Sequence, residues 1–66
     1  MPKKLFFELN YDKRTRIMDT AISEFSIYGY EKSSTNRIVK ESGISKGSLF
    51  KYFSNKEDLY FYVLDS

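Results

Sequence analysis

The sequence predicts an all-α chain, and three observations carry that prediction. The single proline is Pro2 and glycines are few, so long helices are permitted along almost the whole chain. Ile17, Met18, Ala21, Ile22 and Phe25 recur at spacings of one, three and four residues, the stripe of an amphipathic helix. From Ser34 to Lys56 the chain reads as two short helices joined by a tight turn, with another helix beginning as they end. That order is the helix-turn-helix signature. The architecture expected is a three-helix, homeodomain-like helix-turn-helix bundle plus the start of a fourth helix.

Residues 1–12 read as an N-terminal arm and residues 13–66 as the helix-turn-helix domain. The arm is polar and lysine-bearing, and Lys3 and Lys4 are read as solvated. Phe6 and Phe7 are out of place there, and either dock on the domain or extend the first helix backward. Asn10 or Asp12 caps the first long helix. Gly29 ends it, and Tyr30 just beyond can fold back on the core. Ile27 points away from the apolar stripe and has no evident partner.

The second helix begins near Ser33-Ser34-Thr35, three hydroxyl residues that supply an N-cap in any of three registers. Ile38 and Val39 are its apolar residues. It is barely two turns long and would not stand alone. Gly43 stands where a helix needs a left-handed residue to stop. Ser45 caps the third helix, expected to about Phe53, with Leu49 and Phe53 facing inward and Ile44 beneath the turn. The fourth helix has two capping registers, Ser54 with Glu57 or Asn55 with Asp58. Its stretch Leu59–Leu64 is apolar all round, which predicts burial on more than one side and contact with a second domain.

Sixty-six residues allow at most one small domain, which buries only roughly 60% of its unfolded surface. Cysteine and histidine are absent, so disulfides and a zinc site built from those ligands are excluded. There is no phosphate-cradling glycine loop and no acid pair with a reason to be perturbed, so an enzyme is not expected, nor a cofactor or metal. The apolar run at Leu5-Phe6-Phe7 ends too early for a signal peptide, and Leu59–Leu64 is too short for a membrane span.

Formal net charge is only +2, but it is unevenly placed. Residues 32–56 carry Lys32, Arg37, Lys40, Lys46, Lys51 and Lys56 against Glu41 alone, a net +5. A phosphate-binding surface requires such a concentration; a solvated lysine face is the plainer account of charge taken alone. The third helix favours the first. Gly47, Ser48, Lys51 and Tyr52 point largely outward, with Lys46 at the exposed tip. That face has no acid and no aliphatic residue. It offers ammonium groups, hydroxyls and a close-approach glycine, the groups that contact phosphates and base edges.

The ordered series from Ile17 through Ala21, Phe25 and Gly29-Tyr30, then Ser33-Ser34, Ile38-Val39, Gly43-Ile44-Ser45-Lys46-Gly47-Ser48-Leu49-Phe50, Tyr52-Phe53, Lys56 and Leu59, resembles the N-terminal DNA-binding domain of TetR-type (tetracycline-repressor-like) transcriptional regulators. The resemblance covers nearly everything after residue 13. It implies a bacterial, cytoplasmic regulator whose longer chains form homodimers on a double-stranded, palindromic operator. A C-terminal domain would bind a small-molecule inducer. It also implies that Ser34, Thr35 and Asn36 lie at the DNA-facing start of the second helix. Lys46, Gly47, Ser48, Phe50, Lys51 and Tyr52 would form the reading and clamping surface, with Lys56 on phosphate. Three positions depart from the family's habit. Phe50 stands where a tyrosine is usual, Thr35 where an aliphatic residue is common, and Glu24 where a leucine is frequent.

Sequence-specific DNA binding, most often as a repressor, with the third helix in the major groove, is therefore the leading expectation. A small helical protein-interaction module docking through the aromatic helix 59–64 is the alternative. A peripheral membrane peptide is a third reading, opposed by the regular core stripe of the first helix.

Overall fold

The computed structural model describes residues 1–66. The fold is all-α, with five helices: α1 Lys4–Phe7, α2 Tyr11–Lys32, α3 Thr35–Ser42, α4 Lys46–Tyr52 and α5 Lys56–Asp65. Four of the starts are fixed by one device, a side-chain oxygen accepting from an amide three residues on. Asn10 takes Lys13 N at 2.8 Å, Ser34 takes Arg37 N at 3.1 Å, Ser45 takes Ser48 N at 3.0 Å and Asn55 takes Asp58 N at 2.8 Å. Asn10, Ser34 and Asn55 each resolve a register that local sequence left open, and Ser45 caps as expected. For α5 the Asn55–Asp58 register wins, because the Asp58 carboxylate also accepts from Ser54 N at 3.1 Å.

Gly29 breaks α2 before its last turn. Its φ of 73° and ψ of 178° lie in a region that only glycine adopts without strain. The helix proper ends there, and Tyr30–Lys32 make a separate turn leading to Ser33. Gly43 ends α3 in the left-handed conformation, φ 75° and ψ 19°, with its amide bonded to Val39 O at 3.1 Å.

The core comprises Phe6, Ile17, Ala21, Phe25, Ile38, Leu49, Tyr52, Phe53 and Leu59. α2 packs on α3 and α5, α3 on α4, and α1 on α4. Aromatic rings fill much of this small interior. Phe6 meets Phe53 at 4.9 Å and Tyr62 at 5.7 Å between centroids. Tyr60 meets Phe25 at 5.0 Å and Tyr30 at 4.9 Å.

Three expectations change. The segment expected as an arm is ordered, with α1 within it and Phe6 only 1% exposed; Phe7 remains half exposed. Lys3 N bonds to Tyr52 O at 2.7 Å, and the Met1 amino group pairs with the Asp58 carboxylate. Ile22 leaves the buried stripe, and Glu24 joins it. At about 100° per residue, Ile22 falls roughly 140° from Ile17 around the helix and Glu24 only about 20°. Finally, α5 buries Leu59 on one side, while Phe61 and Leu64 stay exposed.

Candidate nucleic-acid interface

α4 is held by the face that carries Leu49, Tyr52 and Phe53, all buried. Residues three and four apart share a helix face, so this burial fixes which side chains point away. Lys46, Gly47 and Lys51 are exposed, and Ser48 and Phe50 are half-buried. Ser45 Oγ donates to Ser48 Oγ at 2.9 Å, so the Ser48 hydroxyl accepts there and keeps its own proton to donate outward.

Tyr52 is a correction. It was expected on the outer face, but lies three residues after Leu49 and is 8% exposed, its ring 6.2 Å from Phe6. Its hydroxyl has no partner within the chain, yet no fully buried side-chain oxygen or nitrogen is unpaired. The hydroxyl therefore reaches solvent, and it is the one part of Tyr52 that a phosphate could touch.

Lys56, expected on phosphate, also has contacts within the chain. Its Nζ donates to Tyr30 O at 2.8 Å and to Ser33 O at 3.2 Å, and sits 4.5 Å from the Tyr30 ring centroid. Tyr30 O also accepts from the Ser33 hydroxyl at 2.7 Å and the Ser33 amide at 3.3 Å, so the ammonium group at the start of α5 adds a charged donor there and supplies the side-chain donor to Ser33 O. Lys56 is a tie between α5 and the end of α2, with one donor left over.

At the start of α3, Ser34, Thr35 and Asn36 come to the surface together, Asn36 exposed and the other two half-buried. Ser34 is the N-cap. Its own amide is taken by Glu24 Oε2 at 2.9 Å. The amides of Thr35 and Asn36, in the first helical turn, have no intrahelical acceptor and are the ones open to an anion.

Glu24 and Arg37 are the residues that sequence reasoning missed. Arg37 Nε donates to both Glu24 oxygens, at 3.1 and 2.9 Å, and Nη2 donates to Oε2 at 2.7 Å. The guanidinium carbon lies 3.9 Å from the Tyr28 ring centroid. The Arg37 hydrogen bond holds the Glu24 carboxyl below its ordinary value, against the burial that would raise it. The positive charge of Arg37 is thereby neutralised. The unpaired charges exposed on residues 32–56 are Lys32, Lys40, Lys46, Lys51 and Glu41, while the paired Arg37 side chain is itself 43% exposed.

The main cleft, about 390 Å³, lies beside this pair and is lined by Asp19, Ser23, Glu24, Tyr28, Arg37 and Glu41 among others. Its acids make it unsuited to phosphate. No group of three His, Cys, Asp or Glu side chains is arranged to hold a metal ion, and no helix is long and apolar enough to cross a membrane.

The model of the bacterial regulatory proteins of the tetR family matches residues 17–63. The HTH-type transcriptional regulator SAB2452 of Staphylococcus aureus is 45% identical over 53 residues, covering 80% of this chain and 29% of that protein. YxaF of Bacillus subtilis, an HTH-type transcriptional regulator, is 49% identical over 49 residues, 73% of this chain and 26% of its own length. The crystal structure of a TetR family transcriptional regulator from Chloroflexus aurantiacus superposes with a TM-score of 0.88 and 44% identity, over 94% of this chain and 29% of that one. The chain thus spans under a third of the length of these relatives. Matching helix order, core and sequence place it in one group: the chain belongs to the TetR family of bacterial regulatory proteins.

Proposed function

We propose that this chain is the DNA-reading head of a ligand-responsive transcriptional regulator, acting as a repressor, with α4 in the major groove of a double-stranded operator. The observation that carries the reading is the outer face of α4. Lys46, Gly47, Ser48 and Lys51 stand on it without an acid, on a helix whose inner face is locked by Leu49, Tyr52 and Phe53. A rigid helix with exposed donors is what base-edge readout needs.

Lys46 and Lys51 are the candidates for base edges and nearby phosphates. Phe50 is placed for apolar contact with a thymine methyl. Ser34, Thr35 and Asn36 offer hydroxyl, carboxamide and backbone donors to the phosphate chain, and the Tyr52 hydroxyl adds one more. Lys56 contributes mainly by fixing α5 against the end of α2. The relatives are named as regulators, which supports a binding protein over an enzyme. A homodimer in the longer protein, a palindromic operator, a small-molecule inducer on a further domain and a cytoplasmic location complete the proposal.

The test is selection from a random duplex pool at low salt, with this chain and with its Lys46→Ala/Lys51→Ala variant. A short enriched motif that the variant loses supports the proposal. Equal, unselective retention by both refutes α4 as the reader in this chain. The competing reading, docking of a protein partner on α5, draws on exposed Phe61 and Leu64. It requires partner binding that survives loss of both lysines.

A further inference from the structure

We infer that Glu24 and Arg37 are positioning residues for DNA binding: they set the angle of the first turn of α3 against α2, and neither touches the nucleic acid. The inference rests on the DNA-binding reading above. It assigns to Arg37 a role opposite to the one that charge alone suggests, since an arginine on a basic helix-turn-helix stretch would ordinarily be assigned to phosphate.

The geometry is a closed ring of three residues, Glu24, Ser34 and Arg37. Glu24, on the buried face of α2, accepts from Arg37 through both oxygens and from the Ser34 amide. Arg37 Nη2 also reaches Lys32 O at 3.3 Å, and the Arg37 amide is held by the Ser34 hydroxyl. One face of the guanidinium lies over Tyr28. The end of α2, the cap of α3 and its first turn are thus tied by directional bonds around one buried carboxylate.

Such bonds are needed here. α3 has eight residues, and Ile38 is its only fully buried apolar side chain. Apolar burial is non-directional, so Ile38 with half-buried Val39 beside it holds the helix against the core but does not by itself set its rotation or tilt. A charged pair with fork geometry does, because its hydrogen bonds fail when the angle changes. Thr35 and Asn36 lie between Ser34 and Arg37 and are carried to their positions by the ring. A carboxylate near a phosphate-facing helix start is otherwise unfavourable. Burial and neutralisation by Arg37 remove most of that cost.

The experiment uses this chain, the duplex enriched by selection, and the variants Glu24→Gln, Arg37→Lys and Arg37→Ala, each checked by urea unfolding. Glu24→Gln and Arg37→Lys are expected to weaken binding by about fivefold or more, the size of a typical coupling between sites. The slope of log affinity against log salt stays unchanged in all three, because no phosphate contact is removed. Full affinity in Arg37→Lys, with a slope reduced by about one in Arg37→Ala, would make Arg37 a phosphate ligand and overturn the inference. So would tighter binding to every duplex by Glu24→Gln.

Amide hydrogen exchange in the same samples decides the matter independently of DNA. Glu24→Gln should speed exchange at Arg37 and Ile38 while Leu49 keeps its protection. Uniform acceleration means a general loss of stability and counts against positioning. If the unmodified chain retains no duplex, the DNA reading fails, and the exchange pattern still decides whether the ring fixes α3.

Discussion

The Nζ of Lys56 lies 2.8 Å from the carbonyl oxygen of Tyr30, twenty-six residues earlier in the chain. A cation at the start of α5 thus closes the open end of α2. Lys56→Ala removes the side-chain donor from the Ser33 carbonyl and the charged donor from the Tyr30 carbonyl, which keeps the Ser33 amide and hydroxyl. The expected cost is about 1.5 kcal/mol, in the range for a hydrogen bond from a charged group. Urea unfolding should show a lower midpoint with an unchanged m-value, and the salt slope of DNA binding should stay close to that of the unmodified chain.

Gly29→Ala isolates the backbone. A Cβ at this position would meet nothing within 4 Å, so any loss is conformational. Holding a non-glycine residue in this region costs about 1–3 kcal/mol. Gly43→Ala, also free of steric contact but in the ordinary left-handed well, should cost less, about 1–2 kcal/mol. Thermal unfolding of the two variants side by side reads the order.

Phe6→Ala should be the most damaging single change outside the helix-turn-helix. Truncating a buried phenylalanine costs about 3–5 kcal/mol, against a total stability of roughly 3–10 kcal/mol for a domain of this length. Far-UV circular dichroism is expected to show substantial unfolding at room temperature. The neighbouring Phe7→Ala, at a half-exposed site, should remain folded.

Acid lability follows from Glu24. Its carboxyl titrates below 4.5 in the folded chain because Arg37 bonds to it. A group whose folded value is depressed contributes stability above its unfolded value. That contribution is lost as pH falls through the folded value. Stability should therefore decline from about 4.5 downward. Asp58, held low by the Met1 amino group, adds to the same limb from 3.8. Glu24→Gln should flatten the upper part of this limb in urea titrations run across that range.

Lys51→Ala is expected to change which duplexes are preferred as well as how tightly they are held. A well-made lysine contact to guanine discriminates by about 1–3 kcal/mol. Repeating the duplex selection with this variant checks it: the same motif at lower yield would assign Lys51 to phosphate alone.

The turns and caps were legible because their signals are local. Gly43 and Ser45 each act within four residues; Ser34 and Asn55 do too, but neighbouring cap-formers left their exact registers open. The ties between elements were not, since Glu24 with Arg37 and Lys56 with Tyr30 are joined across 13 and 26 residues, and no periodicity encodes such partners. Two clues were nonetheless present. Glu24 falls on the buried side of α2 by helical angle, so an acid there demands a base. Tyr52 follows Leu49 by three, which fixes its ring inward. Phe6 carried no comparable signal, because a single helical turn is too short to show a period.

The position of Phe6 also imposes an order on synthesis. Its ring partners Tyr52, Phe53 and Tyr62 lie more than forty residues further along the chain and are made after it. A chain leaving the ribosome can close α2 on α3 while this aromatic side chain is still unmatched. The nascent N-terminus therefore presents a bare ring until α5 has emerged, and a slow codon stretch between α3 and α5 would lengthen its exposure to chaperones and proteases.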